Sequence, residues 1–149
     1  MLSTVFQVAA LILASTAMHG VASAFLVRTT DQASPLLHGP QARLRRFFFV
    51  PVRVLFMLLV GVLEAGVWAW YYFRTDQIAT FSESLYFSLV TMTTVGYGDV
   101  TLEGAGRIIS GIQAALGIVL FGWTTSIIFG AVQAVHRATP HRATPHRTR

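Results

Sequence analysis

The residues whose types and spacing could do chemistry stand in one string, "TMTTVGYGDV", Thr91 to Val100. Gly96 and Gly98 flank Tyr97 in the middle of a hydrophobic chain. Glycine weakens helices and strands, and it is used where the backbone must approach something or take up unusual angles. The chemistry open to such a string is that of its main chain. Its carbonyl oxygens can serve as ligands where none of its side chains could.

Composition sets the surroundings of that string. Of 149 residues, 54% are hydrophobic and 11% charged, against roughly 25% charged in a soluble domain. So few charges cannot cover a globule, and the deficit points to lipid. The chain has no cysteine, which excludes disulfides, iron–sulfur clusters and thiol chemistry. Its net charge of +5 is carried by arginine without any lysine. A basic balance could suggest nucleic acid, but these arginines flank hydrophobic segments, which is the membrane pattern.

Three apolar runs must position the string. They extend over Leu2–Val27, Phe47–Phe73 and about Gly104–Val135, each longer than the roughly 20 residues that cross a bilayer as a helix. A polar linker, 28–46, separates the first two, with Pro35 and "HGP" as breakers. A basic tail, 136–149, repeats "HRATP" and is read as disordered. Arg28, Arg43, Arg45 and Arg46 lie in the linker, and Arg137, Arg142, Arg147 and Arg149 in the tail. The segment from Arg74 to Arg107 carries the acids Asp76, Glu83, Asp99 and Glu103. The positive-inside rule puts linker and tail in the cytoplasm and the middle segment outside. The N-terminus of this multi-pass cell-membrane protein is then also outside. A cleaved signal peptide ending at "VASA" is the rival reading of the first run. Against it, "MLSTVFQ" has no positive charge and cleavage would strand Arg43, Arg45 and Arg46 on the wrong side, so a retained helix is the favoured of the two readings.

Between the second and third runs, "TFSESLYFSLVTM" opens with Thr80 and Glu83 spaced as a capping box. It predicts a helix over 81–92, too short to span, and therefore re-entrant. "TVGYG" follows at once. Non-helical backbone at membrane depth survives only where it is buried in protein or lines a watery path.

At these residues the chain resembles the potassium channel pore family. The likeness covers "SLYFSLVTMTTVGYGDV" and continues through "GRIISGIQAALGIVLFGWTTSIIFGAV", which looks like that family's inner helix. It implies an all-α membrane fold with an extra N-terminal span at 1–27 and a pore domain at 47–135. Within that domain the resemblance gives an outer helix 47–73, a pore helix 81–92, a filter 94–99 and an inner helix 104–135. A filter of this kind is the standard illustration of carbonyl-ring selectivity. The resemblance further implies a homotetramer in which each subunit offers the carbonyls of Thr94, Val95, Gly96 and Tyr97, with the Thr94 hydroxyl innermost. Gly98 completes the string, and Val95 and Tyr97 would turn away to pack on the short helix. Potassium is the transported ion, and no cofactor is expected. The C-terminal end of the short helix would favour a cation beneath the filter, and Asp99 at the outer mouth would concentrate cations.

The resemblance turns one face of the third run, Ile118, Phe121, Thr125 and Phe129, toward the pore, with Thr93 also lining the cavity. Phe129 is then the expected inner gate, and Gly117 the bending point unless close packing explains it. Other residues have plainer readings. Glu64, inside a span, should pair with Gln7 or Arg107. Trp68, Trp70, Tyr71 and Tyr72 read as an interfacial belt, and His19 as a packing residue. Val90 stands where relatives often carry an acid. The tail histidines His136, His141 and His146 are too scattered for a metal site, and Pro140 and Pro145 forbid a helix there. Linker and tail should instead meet anionic lipid. No span carries arginine at every third position, which excludes a voltage sensor. A non-selective cation channel and a non-conducting subunit of a potassium-uptake system are the competing functions.

Overall fold

The computed structural model describes residues 2–38 and 42–139. In chain order these form α1 (Leu2–Ala33), a 3-10 turn (Ser34–Leu37), α2 (Arg43–Arg74), α3 (Phe81–Met92) and α4 (Ala105–Ala138). There is no strand among the described residues. The helices α1, α2 and α4 are long and apolar enough to cross a membrane. The chain is an all-helical membrane protein.

Helix ends depart from the apolar runs. α1 continues past Val27 through Arg28–Ala33 because Thr29 and Thr30 donate back to the Leu26 carbonyl at 3.1 and 2.7 Å. Pro35, near the start of the 3-10 turn, then ends the α-helix. α2 begins at Arg43, and α4 runs through His136 and Arg137 to Ala138. Arg43, Arg45 and Arg46 are thus helical residues instead of linker, and His136 and Arg137 belong to α4 instead of the tail. Residues 140–149 of the tail, Arg142, Arg147, Arg149, His141 and His146 among them, lie outside the described residues.

α1 and α2 run antiparallel, tied at three levels. Trp68 Nε1 donates to Ser15 Oγ at 3.1 Å, His19 Nδ1 lies 3.0 Å from Glu64 Oε1, and Arg53 Nε donates to Thr30 Oγ1 at 3.1 Å. One residue up α1 matches one residue down α2, which puts Glu64 beside His19, far from both Gln7 and Arg107. The expected partner was wrong because counting depth from the apolar run ignores the added turns at the end of α1. Trp68 and Tyr72 are also fully buried, so they form core and no belt. Only Trp70, 55% exposed, is open on the surface of the single chain among the large rings of this stretch. Helix periodicity explains the split, since Ala65, Trp68, Ala69 and Tyr72 share one face.

At the other end, Leu37 is buried among Phe49, Ala131 and Ala138. Arg46 Nη1 donates to the Ala138 carbonyl at 3.0 Å. A cation there meets the negative end of the α4 dipole and one of its orphan carbonyls.

α3 starts on an extended Thr80 whose Oγ1 accepts the Glu83 N–H at 3.2 Å. This supplies one of the amide partners that a helix start lacks. The helix ends at Met92, where the Thr93 hydroxyl donates to the Leu89 carbonyl at 2.7 Å. Small residues, Ala65 and Ala69 on α2 and Ser84 and Ser88 on α3, are fully buried. They allow an approach so close that Ser88 Oγ donates to the Ala65 carbonyl at 2.7 Å. Small-residue contacts of this kind replace the hydrophobic drive that lipid cannot provide.

Candidate functional site

The loop after α3 hangs on one carbonyl. Val90 O accepts the N–H of Val95 at 3.0 Å and of Gly96 at 3.3 Å, while Thr94 N–H bonds Thr91 O at 3.0 Å. From there the backbone alternates. Thr94, Gly96 and Gly98 have φ of 61°, 53° and 79°, whereas Val95 and Tyr97 are not among the positive-φ residues. Alternating hands along a chain turn successive carbonyls toward one side, and this requires positive φ at every second residue. Glycine does so without penalty. At Thr94 the same geometry is strained, and strain of this kind clusters at functional sites. A β-branched residue at positive φ could not be foreseen from composition.

Residues Thr93 to Asp99 are all exposed in the single chain. Val95 is 53% and Tyr97 72% exposed, so neither packs on α3 of its own chain as the resemblance implied. A single chain supplies no wall behind these side chains. Asp99 is held instead by Tyr86, whose hydroxyl donates to Oδ2 at 2.6 Å. That bond holds the Asp99 carboxyl below its ordinary range. It also fastens the outer end of the loop to the second turn of α3. Tyr86 had no local signal in the sequence beyond its place on the short helix.

α4 presents Ile118, Phe121, Thr125 and Phe129 on one uncovered face. Ile118, Phe121 and Phe129 are 62%, 42% and 60% exposed, and Thr125 is exposed with its hydroxyl returned to Phe121 O at 2.8 Å. Gly117 faces the other way and is buried. A Cβ there would run into the Met92 carbonyl oxygen, so the close approach of α3 alone requires a glycine at this position. Thr93 and Phe121 both line a cavity of about 210 Å³ among α1, α2, α3 and α4, together with His19, Glu64 and Thr124.

Two buried polar groups stand behind the loop. In the first, His19 is bonded on both sides, with Nδ1 3.0 Å from Glu64 Oε1 and Nε2 3.2 Å from the Thr124 hydroxyl. With His19 and Glu64 only 2% and 1% exposed, this joins α1, α2 and α4. In the second, Tyr72 Oη donates to Gln113 Oε1 at 2.9 Å and Gln113 Nε2 donates to Ser88 Oγ at 2.7 Å. The sequence reading did not single out Gln113, because a lone amide in an apolar run says nothing about distant partners. No group of histidine, aspartate and glutamate residues that could hold a metal occurs among the described residues.

A family model described as ion channel matches residues 57–134, from mid-α2 to the last turns of α4. That is just over half of the chain, and the chain belongs to this ion channel family, whose members are not enzymes. It is 32% identical over 92 residues to the potassium voltage-gated channel protein shk-1 of Caenorhabditis elegans, covering 61% of this chain and 16% of that protein. To the potassium channel KOR1 of Oryza sativa subsp. japonica it is 35% identical over 75 residues, covering 46% of this chain and 9% of that protein. Protein LctB of Bacillus caldotenax is 42% identical over 45 residues, 30% of this chain and 34% of that protein. The chain thus spans only a minor part of each of these relatives. No solved structure matches the chain significantly.

Proposed function

We propose that four copies of this chain form a potassium-selective channel that conducts passively along a central axis. The observation that carries the reading is the alternation of hand at Thr94, Gly96 and Gly98 in an exposed loop at the end of α3. A row of carbonyls turned one way becomes a cage when symmetry repeats it around an axis, and it can then replace the hydration shell of an ion. α3 is the re-entrant pore helix in this reading. Exposed Val95 and Tyr97 gain their packing from a neighbouring subunit. Closed symmetry is the common route for such assemblies, and one loop per chain calls for a homotetramer. The names of the two eukaryotic relatives support potassium as the ion.

In the assembled pore, Ile118, Phe121, Thr125 and Thr93 line the cavity, and four Phe129 rings close it by dewetting. Gly117 serves as the pivot above that gate. The N-terminus lies outside, and the C-terminal end of α4 faces the cytoplasm. There Arg28, Arg43, Arg45 and Arg137, all exposed, meet anionic lipid. Purified protein in liposomes tests the reading: wild type should carry potassium flux, and Gly96→Ala should abolish it while leaving tetramers intact. Gly96 has φ of 53° with open space where a Cβ would stand, so the variant strains the backbone without a clash. Wild-type flux in that variant would refute the loop as the ion path.

A further inference from the structure

Gln113 is fully buried inside a membrane-spanning helix. A polar side chain in that setting is costly unless every donor and acceptor is met. Here each is. Its Oε1 accepts from Tyr72 Oη at 2.9 Å, and its Nε2 donates to Ser88 Oγ at 2.7 Å and to the Ser88 carbonyl at 3.3 Å. Ser88 Oγ in turn donates to the Ala65 carbonyl at 2.7 Å. The bonds run in one direction, from α2 through α4 and α3 back to α2. Gln113 is the only member whose side chain both accepts from α2 and donates to α3.

The grip falls at a decisive turn. Val90, two residues beyond Ser88, supplies the carbonyl from which Val95 and Gly96 hang. Two residues further still, Met92 sits against buried Gly117 of α4. Ser88 and Met92 are one turn apart on α3, as Gln113 and Gly117 are on α4, so the two helices meet in matched register. The Gly117 contact sets how close α3 comes. It is smooth, and it cannot by itself set rotation. The directional bonds at Gln113 can.

We infer that Gln113 is a positioning residue for ion selection, fixing the rotation and depth of α3 against α4 so that Val90 holds the loop at its working geometry. The inference rests on the channel reading above and adds a residue that touches neither ion nor loop. A merely structural glutamine would alter the yield of folded tetramer and leave selectivity alone. A positioning one alters which ions pass through tetramers that have folded.

The experiment measures the potassium-to-sodium permeability ratio of purified tetramers in planar bilayers, for wild type, Gln113→Leu, Ser88→Ala and the double variant. Gln113→Leu should lower the ratio, because an α3 no longer fixed against α4 releases the loop that hangs from Val90 and lets its oxygens fit the smaller ion. Ser88→Ala should shift it in the same direction. The double variant should fall no further than Gln113→Leu alone, since both remove one shared interaction. An unchanged ratio in folded Gln113→Leu tetramers overturns the inference while leaving the channel reading intact. If Gln113→Leu yields no tetramer, Ser88→Ala decides: a lowered ratio supports the inference and a wild-type ratio refutes it. A wild type that passes no potassium, or does not prefer it to sodium, would instead bring down the channel reading and the inference with it.

Discussion

Gly117→Ala separates a contact from a hinge. A Cβ at Gly117 would overlap the Met92 carbonyl oxygen and stand 3.0 Å from its carbonyl carbon and 3.1 Å from Met92 Cγ. The obstacle is mostly backbone, so α3 must move as a body. Overpacking of this sort costs about 1–3 kcal/mol. Against it stands a gain of about 1 kcal/mol, because alanine is the better helix former. The net effect is a loss of up to ~2 kcal/mol. Gly66 provides the control, with nothing within 4 Å of a Cβ built there. Gly66→Ala should keep the helix gain and lose nothing. Thermal unfolding of the purified variants in one detergent should therefore place Gly117→Ala below wild type and Gly66→Ala at or above it. A Gly117→Ala protein as stable as Gly66→Ala would refute the contact and leave bending as the reason for the glycine. If the contact is real, a fall in open probability in Gly117→Ala cannot be credited to stiffness alone.

Glu64→Leu should destabilise by about 1–3 kcal/mol, because it leaves a buried His19 ring nitrogen without its hydrogen-bond partner. The double variant with His19→Leu should recover most of that loss. Additive melting shifts would contradict the pairing. Tyr86→Phe should hasten current decay by freeing Asp99 from α3. Because the Asp99 carboxyl titrates below its ordinary range, the wild-type contact is present at neutral pH and is lost only as pH falls through that depressed value. Acid below about pH 4 should therefore speed decay in wild type and change Tyr86→Phe little, as read from currents at stepped external pH. Because the chain lacks cysteine, single introduced thiols report topology. Asp31→Cys in intact cells should be protected from an impermeant external reagent and Gln77→Cys labelled, and labelling of Asp31→Cys would reverse the proposed orientation.

What could be read from residue order has a local cause. Thr80 before an apolar run marks a helix start, glycines at alternate positions mark a backbone of unusual hand, and spacings of three and four place Ile118, Phe121, Thr125 and Phe129 on one side of α4. What could not be read depends on partners remote in sequence. Tyr72 and Trp70 are alike by type, yet one is buried on Gln113 and the other is exposed. His19 lies 45 residues from Glu64, and only the length of α1 and its antiparallel register bring them together. Thr94 is the reverse case: its local preference argues against positive φ, and the bonds from Thr94, Val95 and Gly96 to α3 override it.

The central claim is that main-chain oxygens of Thr94 to Tyr97 select potassium. The most direct test is the reversal potential of purified wild-type channels with potassium on one side of a bilayer and graded potassium–sodium mixtures on the other. The account predicts that it follows the potassium equilibrium potential as the mixture is varied, and that Tyr97→Asp abolishes this dependence. A wild-type reversal potential that stays near zero, indifferent to which of the two cations is present, would contradict it.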